Sequence, residues 1–260
     1  MKNPLRGLWI LLFSSLLFFA LLSYTGMPTI FGHELKDNDI YSHLTSKENL
    51  FTPTGVTDFA KPVRSEPVKV ELDTASKSIL FIGDSMLEGL SPRLAAYSKM
   101  NGHKLNTVIW YSSTSEYWGK CDTLKHYIKQ FNPNYIFICL GANELFVKDI
   151  KKKRAKYVDH ILSQIGEIPY LWIGPPNWKE DTGINDLLEM KLKQGSFFLS
   201  NGMKFDRTRD GAHPTRTSAA LWMDSVGRWM KDKSNHPIKM AVPQEKKARA
   251  NHTIVLQPLR

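Results

Sequence analysis

Cysteine is scarce, with Cys121 and Cys139 the only two in 260 residues, which excludes a small fold stapled by disulfides. The 16 glycines and 14 prolines have no triplet period, so the chain is not collagen-like, and with 42% hydrophobic residues it is not generally disordered. Internal repeats, low-complexity blocks and zinc-finger or helix-turn-helix spacings are absent. Acidic residues are outnumbered, 25 against 35 basic, for a net charge of +10. The excess lies in Lys151, Lys152, Lys153, Arg154 and Lys156 and in Lys246, Lys247, Arg249 and Arg260. The first run reads as the solvated face of an amphipathic helix. No basic stripe is interleaved with aromatics, so an anionic envelope surface, lipid or glycan is a better expected partner than nucleic acid.

What is present begins with a membrane address. Lys2 and Arg6 precede an apolar run from Leu8 to Leu22, and Glu34, Asp37 and Asp39 follow it. The charge asymmetry predicts the N-terminus inside and the remainder outside the cytoplasm. No Ala-x-Ala site or lipid-bearing Cys ends the run, so residues 1–27 are expected as an uncleaved anchor rather than a removed signal. The expected location is the cell envelope, anchored in the inner membrane, with the following domain outside the cytoplasm, which is the periplasm if the cell is Gram-negative. Residues 28–76 are polar and aperiodic and read as a stalk or a wrap.

From Ser78 onward, short apolar runs alternate with segments of helical period. The runs are Ile79–Ile82, Leu105–Trp110, Tyr135–Leu140, Ile168–Ile173 and a weaker Phe197–Leu199. Helices are predicted near 87–99, 121–131, 150–165, 184–193 and 215–230. Strands without polar alternation, each followed by a helix, imply a parallel sheet of about five strands covered on both faces. That is a doubly wound α/β domain over 77–233, with its site at the carboxyl ends of the strands. Residues 234–260 read as an irregular basic tail.

Three short blocks fall at those strand ends. Gly83-Asp84-Ser85-Met86 follows the first run. A Ser there stands beside free helix N–H groups and suits a nucleophile, although the same residues suit an ordinary turn and cap. Gly141-Ala142-Asn143-Glu144 follows the third run, where an Asn amide can face a developing oxyanion or simply close a turn. Asp210-Gly211-Ala212-His213-Pro214 precedes the last helix. Its His can act as base to Ser85, with Asp210 holding the imidazole tautomer. Asp206 is a nearby competitor for the acid role.

Taken together and in this order, the blocks resemble the motifs of the SGNH hydrolases, the GDSL esterase and lipase superfamily, over roughly Lys77 to Lys233. The resemblance implies a flavodoxin-like three-layer α/β/α fold with Ser85 as nucleophile, His213 as base and Asp210 as its orienting acid. It also implies an oxyanion hole built from the Ser85 N–H and the Asn143 side chain. The family's further oxyanion glycine is replaced in Tyr111-Ser112-Ser113-Thr114-Ser115. A main-chain N–H of Ser112 or Ser113 is the expected substitute, with Ser113 preferred. Glu144 stands where Asp is usual.

The expected chemistry is two-step acyl transfer with no cofactor or metal; His103, His126 and His160 have no ligand cluster and read as surface or helix residues. Trp118, Asn177 and Trp178 fall on the predicted rim, where Trp can stack on a sugar or merely anchor its loop. With no long apolar lid, the expected substrate is a short acyl ester, acetyl first, on an envelope or dietary carbohydrate. An O-acyltransferase of the same fold and a non-catalytic glycan-binding protein are the alternatives. Cys121 and Cys139 are placed to pair or to remain separate thiols.

Overall fold

The computed structural model describes residues 70–258, together with the backbone of Thr29–Ile30 and His33–Glu34. Those two pairs form a short antiparallel ladder, β1 (Thr29–Ile30) with β2 (His33–Glu34). The apolar run Leu8–Leu22 and most of the polar segment 28–76 lie outside the described residues. Among the described residues no helix is long and apolar enough to cross a membrane.

The domain is a parallel sheet of β3 (Ser78–Gly83), β4 (Lys104–Trp110), β5 (Tyr135–Cys139), β6 (Tyr170–Ile173), β7 (Phe197–Phe198) and β8 (His252–Leu256). Its order is β7-β6-β5-β3-β4-β8, every neighbouring pair parallel. Side-chain alternation divides the core. Ile79, Phe81, Leu105, Tyr135 and Phe137 pack on one face against α1 (Leu87–Asn101) and α6 (Arg216–Lys233), with Trp222 fully buried between. Leu80, Ile82, Val108, Ile136 and Ile138 pack on the other face. There they meet α3 (Thr123–Phe131), α4 (Ile150–Ile165) and α5 (Ile184–Lys191). A one-turn helix, α2 (Ser115–Gly119), caps that layer. This is the expected three-layer α/β/α arrangement. The chain leaves β3 for β4 on one side and later returns to β5 on the other, so a crevice opens at the carboxyl ends of β3 and β5.

The tail corrects two expectations. Instead of an irregular segment beyond a five-stranded sheet, 234–258 wraps the domain and supplies the sixth strand, with Val108 in register with Ile254. Its attachments are polar and distant in sequence. Buried Arg93 donates to the Glu245 carbonyl at 2.7 Å and pairs with Asp224 at 2.7 Å. Asn101 exchanges side-chain bonds with Ala241 at 2.9 Å in both directions. His103, expected on the surface, is buried between Lys77 N–H and the Lys239 carbonyl, and burial lowers its pKa.

Cys139 lies in the α1/α6 core whereas Cys121 packs on the opposite face, so the two thiols are separate and the sheet stands between them.

A chain ending at Lys233 loses these bonds and leaves β4 as a bare edge. Net bond losses of about 1 kcal/mol each place its melting temperature at least about 10 °C below that of the full chain by calorimetry.

Candidate active site

The crevice receives four polypeptide turns, each shaped by its own residues. At the end of β3, Gly83 lies so close to β5 that a Cβ there would overlap the Cys139 carbonyl. The turn that follows sends Asp84 inward and Ser85 outward. Asp84 is wholly buried, its Oδ1 accepting the Met86 N–H at 2.9 Å and its Oδ2 without a partner. Burial raises its pKa to about 7, an effect the Met86 N–H only partly offsets. Ser85 stands immediately before α1.

After β5, Gly141 adopts φ +120°, a conformation open to glycine. The turn brings Asn143 to the rim, where its Nδ2 donates to the Ser113 carbonyl at 3.0 Å. One amide hydrogen is thereby fixed and the second remains. Glu144 points the other way and is fully buried. It accepts from the Ser115 N–H at 2.7 Å, the Ser115 hydroxyl at 2.9 Å and Arg154 Nε at 2.7 Å. Burial raises the Glu144 pKa, and these donors work against the rise. Arg154 was expected on a solvated basic face, yet it bridges Glu144 and Glu116 and holds the loops after β4 and β5 together. Nothing in the run Lys151–Lys156 distinguishes Arg154 from its neighbours, because its partners come from other loops.

The loop after β4 corrects the expected oxyanion donor. The Ser113 N–H already donates to the Trp110 carbonyl at 3.1 Å, and Ser113 is buried. Its contribution is the carbonyl that orients Asn143. Ser112, held at φ 56° in the left-handed region, is the remaining main-chain candidate on this loop. Trp118 also departs from expectation. It is fully buried, donating to Ser113 Oγ at 3.0 Å and packing edge-on against Trp110, so it supports the loop from behind rather than facing a ligand.

The last turn carries the hydrogen-bonded chain. His213 Nε2 is 2.8 Å from Ser85 Oγ, and His213 Nδ1 is 2.6 Å from Asp210 Oδ2. Asp210 Oδ1 accepts from the Ala212 N–H at 2.8 Å, the His213 N–H at 3.0 Å and the Thr208 hydroxyl at 2.8 Å. These bonds, led by the His213 N–H, lower the Asp210 pKa well below the usual carboxylate range. Asp210 therefore stays ionised wherever an imidazole titrates. Asp206 takes part only through its backbone, accepting the Thr215 N–H at 2.7 Å and donating to Ser218 at 3.0 Å.

Arg207 was not singled out by its sequence context. Its guanidinium donates to the Ala212 carbonyl beside His213 and to the Pro176 and Asn177 carbonyls at 2.9 and 3.0 Å. The loop after β6 is thus tied to the His213 turn. Asn177 accepts from Asn185 Nδ2 at 3.1 Å and holds that loop internally. Trp178, half-buried, donates to the Ala142 carbonyl at 2.8 Å and lies under Lys179, while Phe146 meets its edge. Both residues stand at the rim as loop anchors. Ser85, His213 and Asp210 are brought together by hydrogen bonds, and Asn143 stands on the turn after the neighbouring strand β5; Trp118 and the Ser113 N–H are turned to other partners.

Several solved structures align with this chain. An esterase, EstA, from Pseudoalteromonas sp. aligns at 16% identity with a TM-score of 0.44, over 59% of this chain and 96% of its own. A family 3 carbohydrate esterase of Clostridium thermocellum aligns at 15% identity and 0.43, over 61% and 95%. A two-domain esterase active on acetylated mannans aligns at 10% identity and 0.44, over 65% and 53%. No protein-family model and no curated protein matches the sequence. What the site can do chemically follows from its own geometry: a serine hydroxyl shares a proton with an imidazole whose far nitrogen is held by a carboxylate.

Asp84 has a raised folded pKa, so its contribution to stability is full below about pH 4 and is lost as pH rises through about 7. Asp84→Asn removes that loss. The melting temperature of the variant minus that of the native chain is expected to grow between about pH 5 and pH 8, read by a thermal melt series. For Arg207→Ala, three carbonyls lose their donor. Faster amide exchange at 211–215 and a melting temperature lower by several degrees are expected, from a loss of about 2 kcal/mol.

Proposed function

We propose that this protein is a serine esterase of the SGNH type that removes a short acyl group, acetyl first, from a carbohydrate. The observation carrying this reading is the continuous Ser85–His213–Asp210 chain, with bonds of 2.8 and 2.6 Å, at the crevice beside β3 and β5. In the proposed reaction Ser85 Oγ attacks the ester carbonyl while His213 Nε2 takes the hydroxyl proton. Asp210 keeps Nδ1 protonated and stabilises the imidazolium that forms. The resulting oxyanion lies between the Ser85 N–H, ahead of α1, and the free amide hydrogen of Asn143. The Ser112 N–H supplies the third donor in place of Ser113.

Collapse of the intermediate expels the alcohol, which takes the proton from His213. Water, deprotonated by the same imidazole, then attacks the acyl-Ser85 carbonyl and releases the acid. The short acyl group is supported by the groove next to Ser85, whose walls mix Thr208, Ser91 and Thr253 with Ile109 and Pro214. A long acyl chain needs a more continuous apolar lining. The N-terminal apolar run supports attachment to the envelope membrane, with the domain outside the cytoplasm.

Hydrolysis of p-nitrophenyl acetate tests the reading. Ser85→Ala is expected to remove at least about 10³-fold of kcat, Asp210→Asn about as much, and Asn143→Ala about 10²-fold. Native-level rates in Ser85→Ala would refute a serine nucleophile, and full activity in Asn143→Ala would refute its place in the oxyanion hole. Acetyl transfer to added oligosaccharide outpacing release of acetate would reassign the enzyme as a transferase.

A further inference from the structure

We infer that the ester's carrier is an anionic glycan, selected by Arg216 and Arg249 across the groove from Ser85; the inference rests on the esterase reading and names its substrate class. The groove has a volume of about 590 Å³ and runs from Ser85 and His213 along the start of α1. Its far wall is not part of the doubly wound unit. It is the tail, contributing Ala248, Arg249 and Ala250 and then Thr253 of β8. Arg216, the first residue of α6, lines the same space.

The groove's own lining carries two arginines and one carboxylate. Among the described residues neither Arg216 nor Arg249 forms a salt bridge, although the other arginine of the tail's anchorage, Arg93, is paired with Asp224. The acidic lining residue is Glu88, and the Tyr111 hydroxyl donates to it. Asp210, bonded to the lining residues Thr208 and His213, is a half-exposed carboxylate outside the lining and is engaged by the His213 ring at 2.6 Å.

Arg216 is also placed against local helix energetics. A cation at the first position of an 18-residue helix opposes the dipole, which favours an anion there. The helix end and the guanidinium therefore add to one positive field instead of cancelling. Two guanidiniums without a salt bridge among the described residues suit carboxylate or phosphate groups repeated along a carrier, each able to take a bidentate pair. The small residues Ala248 and Ala250 that flank Arg249 leave the tail side of the groove without a continuous apolar surface for a lipid chain.

The test compares acetylated polygalacturonate with acetylated glucomannan, which is neutral, using the native chain, Arg216→Gln, Arg249→Gln and the double variant. The native chain is expected to prefer the acidic polymer by about tenfold or more in kcat/KM, and the double variant to lose that preference. About 0.5 M NaCl should erase the preference of the native chain as well. An unchanged ratio in the double variant, or native preference for glucomannan, would overturn the inference; faster cleavage of an anionic lysophospholipid than of either polymer would overturn its glycan part. A second measurement does not need turnover. Ser85→Ala should be retarded in a gel containing unesterified polygalacturonate but not in one containing glucomannan, and Arg216→Gln/Arg249→Gln added to it should restore mobility. Equal mobility in both gels refutes charge selection, whereas absence of turnover with retardation intact refutes only the esterase reading.

Discussion

The candidate site depends on β3 and β5 lying side by side and ending level. Gly83 is in register with Cys139, and no side chain at position 83 could clear the Cys139 carbonyl. Because the strands meet there, the Asp84 N–H can reach that carbonyl at 3.3 Å, and the two following turns rise from one point. The turns carrying Ser85 and Asn143, 58 positions apart, leave adjacent strand ends for this reason. His213 then needs only the short turn ahead of α6 to reach it. Separating the two strands by one side chain would misplace the hydroxyl and the amide together.

Around this point the carboxylates are sorted by depth, with opposite consequences. Asp84 and Glu144 lie beneath the crevice, and burial raises both pKa values. Each works on scaffolding: Asp84 closes the turn through Met86, and Glu144 gathers Ser115 and Arg154. Asp210 lies at the surface, where N–H and hydroxyl donors keep it charged. The carboxylate that must stay ionised beside an imidazole is the one the solvent can reach, and those that organise loops are shielded. Glu144 has an additional reach: through Ser115 it fixes the loop whose Ser113 carbonyl orients Asn143. Exchanging Asp for Glu in that block therefore concerns how the loops meet, not proton transfer.

The layered fold was legible because its signal is local. Buried parallel strands read as unbroken apolar runs, and α4 spans Ile150–Ile165 as its periodicity predicts. The Ser85 and His213 blocks were legible as short turn motifs, and the fold sets their side chains within hydrogen-bond distance. What was not legible is held by partners far apart in the chain. β8 is five residues with polar members, recruited by Arg93, Asn101 and Asn251 across about 140 positions. Trp118 looked available because it follows a strand, yet an indole that finds Trp110 and Ser113 buries completely. Ser113 failed as a donor for an equally specific reason: a tight turn uses its N–H on the Trp110 carbonyl. Arg207 and Arg154 carried no local signature, since what they bond is mostly backbone or carboxylate supplied by other loops.

The tail both anchors the domain and lines the groove that holds Ser85. Its polar anchors hold Glu245 and Ala241 onto α1, and Asn251 exchanges bonds with Leu105 at 2.7 and 2.8 Å. Between these two fixed points lie Lys246, Lys247, Ala248, Arg249 and Ala250, with Ala248 donating to the Pro92 carbonyl at 2.9 Å. That carbonyl belongs to the proline inside α1, and the bond brings the tail across the helix beside Ser85. The segment lines the groove with both of its ends tied down, so Ala248, Arg249 and Ala250 belong to the same wall system as Ser85. A tail free at either end would carry the same charge as a diffuse cloud, raising encounter with any anion but distinguishing little between carriers. Tying the backbone down on both sides of Arg249 turns a general attraction into a placed one, since only the side chain is left to move.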